Sequence, residues 1–276
     1  MQSPPILFDR PALLQHRKRA ARAPVLFLRQ AITAEVQERL NEVNRRFTAP
    51  AIVTGMPELW GSLLPGGVVV PDEDTLALSP AAHDLVIHDM GLHWANDPVG
   101  QLVQCRHALR PDGMLIATLF GSETLHELRI SLAEAEVEVT GGLSPRVAPM
   151  GEIRDLGGLL QRAGLALPVA DGLPFTVSYA DAFALMHDLR GMGEGNAMQT
   201  RLRQLTRREV MTRAMQIYAT RFGTPDGRIT ATFEVITLTG WAPAPTQQQP
   251  LRPGSATHRL AQALHVTETP VDHSGD

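Results

Sequence analysis

The sequence predicts an α/β fold with a mostly parallel sheet and an antiparallel last strand. Two observations carry that prediction. Residues 84–88 (DLVIH) and 114–120 (MLIATLF) are short apolar runs, as in strands buried on both faces, and a helical pattern lies between them. Such a unit needs a right-handed crossover, with helices covering both faces of the sheet. Residues 229–239 (ITATFEVITLT) alternate and read as the antiparallel final strand.

The elements follow in order. Residues 1–5 are a proline-containing tail. From Asp9 a helix carries Arg10, His16, Arg17, Lys18, Arg19 and Arg22, with Leu13 and Leu14 as apolar contacts. A second helix from Thr33 to Phe47 places Val36, Leu40 and Val43 on one face, and residues 1–48 form an N-terminal helical segment. Ala51-Ile52-Val53 is a strand leading into Thr54-Gly55. Asn96 or Asp97 caps a helix whose first residue is Pro98, where the missing N–H costs nothing. Val99, Leu102, Val103 and Leu109 recur at helical spacing, and Arg110-Pro111-Asp112-Gly113 stops the helix in a turn. Residues 181–221 read as an inserted helical layer within a body spanning 49–241. The Pro/Gln-rich stretch and polar residues of 242–276 lack periodicity and read as a disordered tail.

Composition bounds the function. With 276 residues, 43% of them apolar, the chain can bury a sizeable core. A net charge of −4 gives no reason to expect nucleic acid as a partner. Cys105, the one cysteine, excludes an internal disulfide, and its place inside a helix suits a buried thiol better than a nucleophile. No apolar run approaches the roughly 18 residues a membrane span needs, and there is no signal-like start. The expected compartment is the bacterial cytoplasm, ahead of a mitochondrial matrix.

The strand, LHW loop, helix, LRPDG turn and strand of residues 84–120 resemble the fourth and fifth strands of class I S-adenosylmethionine-dependent methyltransferases. LFDRPALLQHRKRAA (7–21), FGSETLHELR (120–129), GGLSPRVAP (141–149), DLGGLLQRAG (155–164), DLRGMGEGN (188–196) and ATFEVITLTGW (231–241) are narrower. They resemble the branch holding the mitochondrial complex I assembly factor that hydroxylates an arginine, and its bacterial relatives. The biotin-pathway malonyl-carrier-protein methyltransferase is a neighbour of that branch. The resemblance implies a Rossmann-like methyltransferase fold, with S-adenosylmethionine as cofactor and a protein or carrier-bound substrate.

At the cofactor site the match weakens. The superfamily follows its first strand with D-x-G-x-G-x-G, whose glycines let the backbone approach the cofactor. Here Thr54-Gly55-Met56-Pro57 keeps one glycine, and Gly55→Ala is expected to be nearly silent. The short interval between Gly55 and Asp72 leaves room for one short helix and one strand, so one βα unit is expected to be missing, with its ribose-binding carboxylate. Asp72 and Glu73 fall where the family carries an adenine-reading aspartate; an acid-rich solvated turn explains them equally well.

Candidate working residues cluster later in the chain. His93 and Trp94 follow the strand ending near Asp89, at the sheet rim where ligands bind in doubly wound folds. His93 would act as a base or orient substrate and Trp94 would wall the pocket; both also suit structural roles. Glu123 and Glu127 could share a helix face or simply favour the helix dipole. The glycine-rich loop 191–196 permits close backbone approach to a ligand and offers Glu194 and Asn196, with Arg190 and Arg146 as anion clamps or surface charges. The basic helix is either a dock for an acidic partner or a solvated face. The leading expectation is a methyltransferase-like factor acting on or assembling a protein partner, a complex I subunit by resemblance, with cofactor binding weakened or lost; whether it is an enzyme stays open, a pseudoenzyme being one reading. The alternative is an active S-adenosylmethionine-dependent methyltransferase on a small molecule or carrier-bound substrate.

Overall fold

A computed structural model describes residues 6–60, 64, 66–247, 259–263 and 265–267. The chain divides into two units, residues 1–243 and 244–276. In the first, six strands form one sheet: β1 (Pro50–Thr54), β2 (Val68–Val70), β3 (His83–Asp89), β4 (Leu109–Phe120), β5 (Ala166–Tyr179) and β6 (Ile229–Trp241), in the order β2-β1-β3-β4-β6-β5. β2, β1, β3 and β4 run parallel, whereas β6 is antiparallel to both β4 and β5. Among the described residues a single 3-10 turn, Pro57–Leu59, lies between β1 and edge strand β2. The expected missing βα unit is therefore missing at that edge.

Among the described residues, seven α-helices of this unit cover the sheet: α1 (Arg10–Ala20), α2 (Phe27–Glu42), α3 (Pro98–Ala108), α4 (His126–Thr140), α5 (Ile153–Arg162), α6 (Ala182–Gly191) and α7 (Arg208–Phe222). Asp9 caps α1 by accepting from the Ala12 N–H, and Asp97, rather than Asn96, caps α3 through Gly100. Asn96 instead accepts from the Leu7 and Phe8 N–H groups, tying the N-terminal segment to the α3 approach. α2 begins and ends earlier than the expected 33–47. Its buried stripe is Leu28, Ile32 and Val36, and Val43 turns extended at its end. The chain then enters β1 with the Thr48 and Ala49 N–H groups held by the Asp84 carboxylate.

Strand alternation sorts the core onto two faces. Ile52, Leu85, Ile87 and Ile116 pack with Val36 of α2 on one face. Ala51, Val53, Val86 and Leu115 pack with Leu102 and Cys105 of α3 and Leu160 of α5 on the other. Burial pushes the Cys105 thiol up to about 12, so it packs as a small apolar group. Helices α4, α6 and α7, with the outer parts of β5 and β6, build a third apolar body around Leu128, Leu185, Ile217, Tyr218 and Phe233. No helix among the described residues is long and apolar enough to cross a membrane.

In the second unit, residues 244–247 make a turn closed by Gln247 and Ala244, and α8 (Leu260–Ala263) is one helical turn. Residues 248–258, 264 and 268–276 of the expected disordered tail lie outside the described ones.

Candidate functional site: a crevice closed by two arginines beside an apolar cavity

The alternation that sorts the core also fixes what the crevice presents at the carboxyl ends of the parallel strands. Residues 52, 54, 85, 87 and 89 point toward α2, so Thr54 and Asp89 meet there: the Thr54 hydroxyl donates to Asp89 Oδ2 at 2.7 Å. His88 points the other way and meets Gln101 of α3 at 3.2 Å, while the Gln101 amide donates to the Glu73 carbonyl. Asp72 lies two residues past β2, and the β3–α3 connection passes beside it at Gly91.

Two arginines fill this space. Arg17 lies between Leu13 and Ala20 on the buried stripe of α1, and its Nη1 donates to Asp72 Oδ1 at 2.6 Å. Arg10, one helical repeat earlier, also pairs with that carboxylate and donates to the Asp72 carbonyl. Arg29, on the buried stripe at the start of α2, donates to Asp89 Oδ2 at 3.1 Å and reaches Glu194 Oε1 at 3.4 Å. Arg17, Asp72, Arg29, Asp89 and Glu194 all have side chains less than a tenth exposed. Burial alone would raise the Asp72 carboxyl, but the charge and hydrogen bond of Arg17, with Arg10 and His88, hold it below the usual range. Desolvation lowers the fully buried His88 and outweighs the opposing pull of Asp72, so its ring is neutral.

Glu194 joins the crevice to a neighbouring cavity. Its Oε2 accepts from the Trp94 indole at 2.6 Å and from His93 Nε2 at 3.2 Å. His93 Nδ1 accepts from the Phe120 N–H, which leaves the ring proton on Nε2 facing the carboxylate. Burial opposes the charge on Glu194, yet His93 first and then Arg29 and Arg17 pull its carboxyl down to about 2. Beyond it lies a cavity of about 420 Å³ walled by Trp94, Phe120, Leu128, Met150, Leu189 and Phe233, with Glu194, Arg190, Arg146 and Asn196 at its polar edge. Arg146 is paired with Glu136 at 2.8 Å, and Asn196 bridges the Pro145 carbonyl and the Met198 N–H.

The candidates from sequence thus separate. Trp94, Glu194, Arg190 and Asn196 line one cavity. His93 stands behind Glu194 with its side chain 2% exposed. Glu123 is not brought there: it is exposed on the α4 approach beside His126, and Glu127 instead accepts from the Thr232 hydroxyl and N–H on β6. Asp72 lies in the loop two residues past β2, buried and paired with Arg17, while the Glu73 side chain is exposed and only its carbonyl is engaged. The glycine loop's close approach is to its own chain: Gly193, at φ 78°, lies against Arg17, and Gly195 packs on His16. Nor is the basic helix a uniform solvated face, because Arg10 and Arg17 turn inward.

Arg17 and Arg29 are the residues that sequence reasoning missed. The available signal was an arginine at an apolar position of a helical stripe: 13–17–20 in α1 and 28–29–32–36 in α2. As they stand, these groups do not fit S-adenosylmethionine. A Cβ on Gly55 would fall within the van der Waals envelope of the Arg17 guanidinium, so that side chain covers the one remaining glycine.

The sheet order, its antiparallel sixth strand and the crevice at the strand ends define a Rossmann-like class I methyltransferase fold lacking one edge unit. No family model matches the sequence. The chain is 36% identical over 241 residues to the mitochondrial arginine-hydroxylase NDUFAF5 of Danio rerio, covering 87% of this chain and 75% of that one. It therefore belongs to the NDUFAF5 family of methyltransferase-like proteins. The malonyl-[acyl-carrier protein] O-methyltransferase of Halorhodospira halophila is 32% identical over 211 residues, 76% of this chain and 70% of its own. Mammalian relatives are longer, and the chain spans 58% of the rat arginine-hydroxylase NDUFAF5. Among solved structures, the YcgJ protein of Bacillus superposes with a TM-score of 0.48 at 9% identity, covering 77% of this chain and 99% of that one.

Proposed function

We propose that the chain is a methyltransferase-fold factor that binds and acts on a protein partner through its substrate-side cavity, with the cofactor crevice held shut by its own N-terminal helices. One asymmetry carries this reading: Arg17 and Arg29 occupy the strand-end crevice, while a cavity of about 420 Å³ stays open beside it. Trp94, Arg190 and Asn196 meet the partner in this account, and Glu194 is held ionised at the boundary by His93 and Arg29. Apolar and aromatic walls with a narrow polar edge suit an extended, largely apolar side chain of the partner. The family resemblance makes a respiratory complex I subunit the first partner to test.

Deleting the gene in its host and measuring NADH–quinone reductase activity of the membranes tests this reading. Loss of activity, restored by the wild-type chain and not by Trp94→Ala, is the expected result. Unchanged activity on deletion would contradict the complex I assignment.

A second reading has one observation in its favour. Asp72 stands two residues past β2 with Oδ2 buried and without a hydrogen-bond partner among the described residues. If α1 withdraws, that carboxylate is placed to hold a diol, and the chain methylates a small-molecule or carrier-bound substrate as its second group of relatives is named for doing.

A further inference from the structure

The cavity continues past its own rim. Arg190, Gly195 and Asn196 also border a second hollow of about 470 Å³ between α1 and α6, whose other edges include His16, Arg19 and His187. The floor is made of small groups, Ala20, Ala23 and Gly191, and His16 Nδ1 lies 3.2 Å from the Gly195 carbonyl, fixing the loop against α1. His16, Arg19 and Ala20 share one face of α1 by helical spacing, and His187 and Arg190 share one face of α6.

The charge of this shelf is one-sided. No carboxylate borders it among the described residues. Arginines nearby are already neutralised: Arg17 by Asp72, Arg146 by Glu136 and Arg201 by Asp9. Glu194, the acid of the adjoining loop, is committed to Arg29, His93 and Trp94. Arg19 and Arg190 are exposed, and among the described residues neither has a carboxylate partner. In a chain of net charge −4, two uncompensated arginines at one hollow form a local positive field.

Exposed apolar side chains lie at the cavity and on α6. Leu202 lines the cavity and is 42% exposed, and Phe183, one turn before His187 on α6, is 56% exposed. A small anion would engage the shelf and leave these apolar groups in water. A chain segment covers both.

Resting on the partner-binding reading above, we infer that the shelf of His16, Arg19, His187 and Arg190 docks an acidic stretch of the protein partner. An adjoining apolar side chain of the same segment enters the cavity past Asn196. Arg190 is the specificity-determining residue, since it borders both hollows. Binding is then stronger at low salt, and the charge sets the orientation of the segment.

Fluorescence anisotropy on the full chain tests this, using a short fluorescein-labelled peptide of glutamates around one central leucine. Controls are the same peptide with glycine for the leucine, the same peptide with lysines for the glutamates, and inorganic phosphate as competitor. The glutamate–leucine peptide is expected to bind and to weaken with salt. The double variant Arg19→Glu/Arg190→Glu is expected to weaken it by roughly tenfold or more, the equivalent of about 1.4 kcal/mol, with an unchanged melting temperature. The glycine control is expected to bind less well and the lysine control not to bind. Equal binding of the lysine peptide, no binding of the glutamate–leucine peptide, indifference to the double reversal, or full displacement by millimolar phosphate would each overturn the inference. None of these outcomes bears on whether the cofactor crevice is closed, so shelf and crevice fail separately.

Discussion

Arg17 of α1 and Asp72 just past β2 meet at 2.6 Å with side chains 6% and 4% exposed, joining a helix near the N-terminus to the edge of the sheet. The pair does two jobs. It anchors α1 over the strand ends, and it neutralises the buried carboxylate that follows β2. Removing one member of such a pair strands a buried charge. Arg17→Met should therefore destabilise the fold by about 3–5 kcal/mol, and Arg17→Met/Asp72→Asn should recover part of that loss. Urea denaturation of the four forms in a double-mutant cycle measures the coupling; additive effects would show that the two side chains act independently.

Acid should loosen the same region. The Glu194 carboxyl lies near 4.5 in the unfolded chain and is pulled to about 2 in the fold, where His93, Arg29 and Arg17 outweigh burial. A depressed carboxyl stabilises the fold above its unfolded value, and that contribution is lost as pH falls from about 4.5 toward 2. His88 acts in the same direction at higher pH, since burial favours its neutral ring while the unfolded chain takes up a proton below about 6.5. The stability gap between wild type and Glu194→Gln should thus narrow through the acid range. A gap independent of pH would contradict the assignment of the depressed carboxyl to Glu194.

His93→Ala bears on structure as much as on chemistry. The ring sits 4.8 Å from the Phe120 ring, centroid to centroid, accepts from a backbone N–H and donates to Glu194. Loss of one buried hydrogen-bonding group costs about 1–3 kcal/mol, so the melting temperature should drop measurably. A variant as stable as wild type would show that the imidazole is free for another role.

Gly55→Ala should not be silent, although sequence alone suggests that it is. Its methyl group would press on the Arg17 guanidinium, which is buried and already committed. A lower melting temperature is expected, with a cost of about 1–3 kcal/mol for crowding a packed site. An unchanged melting temperature would show that Arg17 shifts aside freely.

Much of the fold was legible because it rests on periodicity. The apolar runs at 84–88 and 114–120, Pro98 at a helix start and the alternation of 229–239 each report a local rule that the fold obeys. The short interval between Gly55 and Asp72 correctly announced a lost unit. Trp94, Glu194, Arg190 and Asn196 could be singled out, but not their convergence, which depends on how loop 191–196 folds back over α1. Arg17 was hidden among its basic neighbours. Its burial depends on Asp72, a residue far along the chain, and local composition cannot distinguish it from exposed Lys18 and Arg19.

The central claim is that Arg17 and Arg29 close the crevice at the strand ends. Calorimetric titration of the full chain with S-adenosylmethionine tests it most directly. The closed crevice predicts no saturable heat even at millimolar ligand. Saturable binding at micromolar ligand would contradict it, because the cofactor would then have to displace Arg17 from Asp72 at little cost.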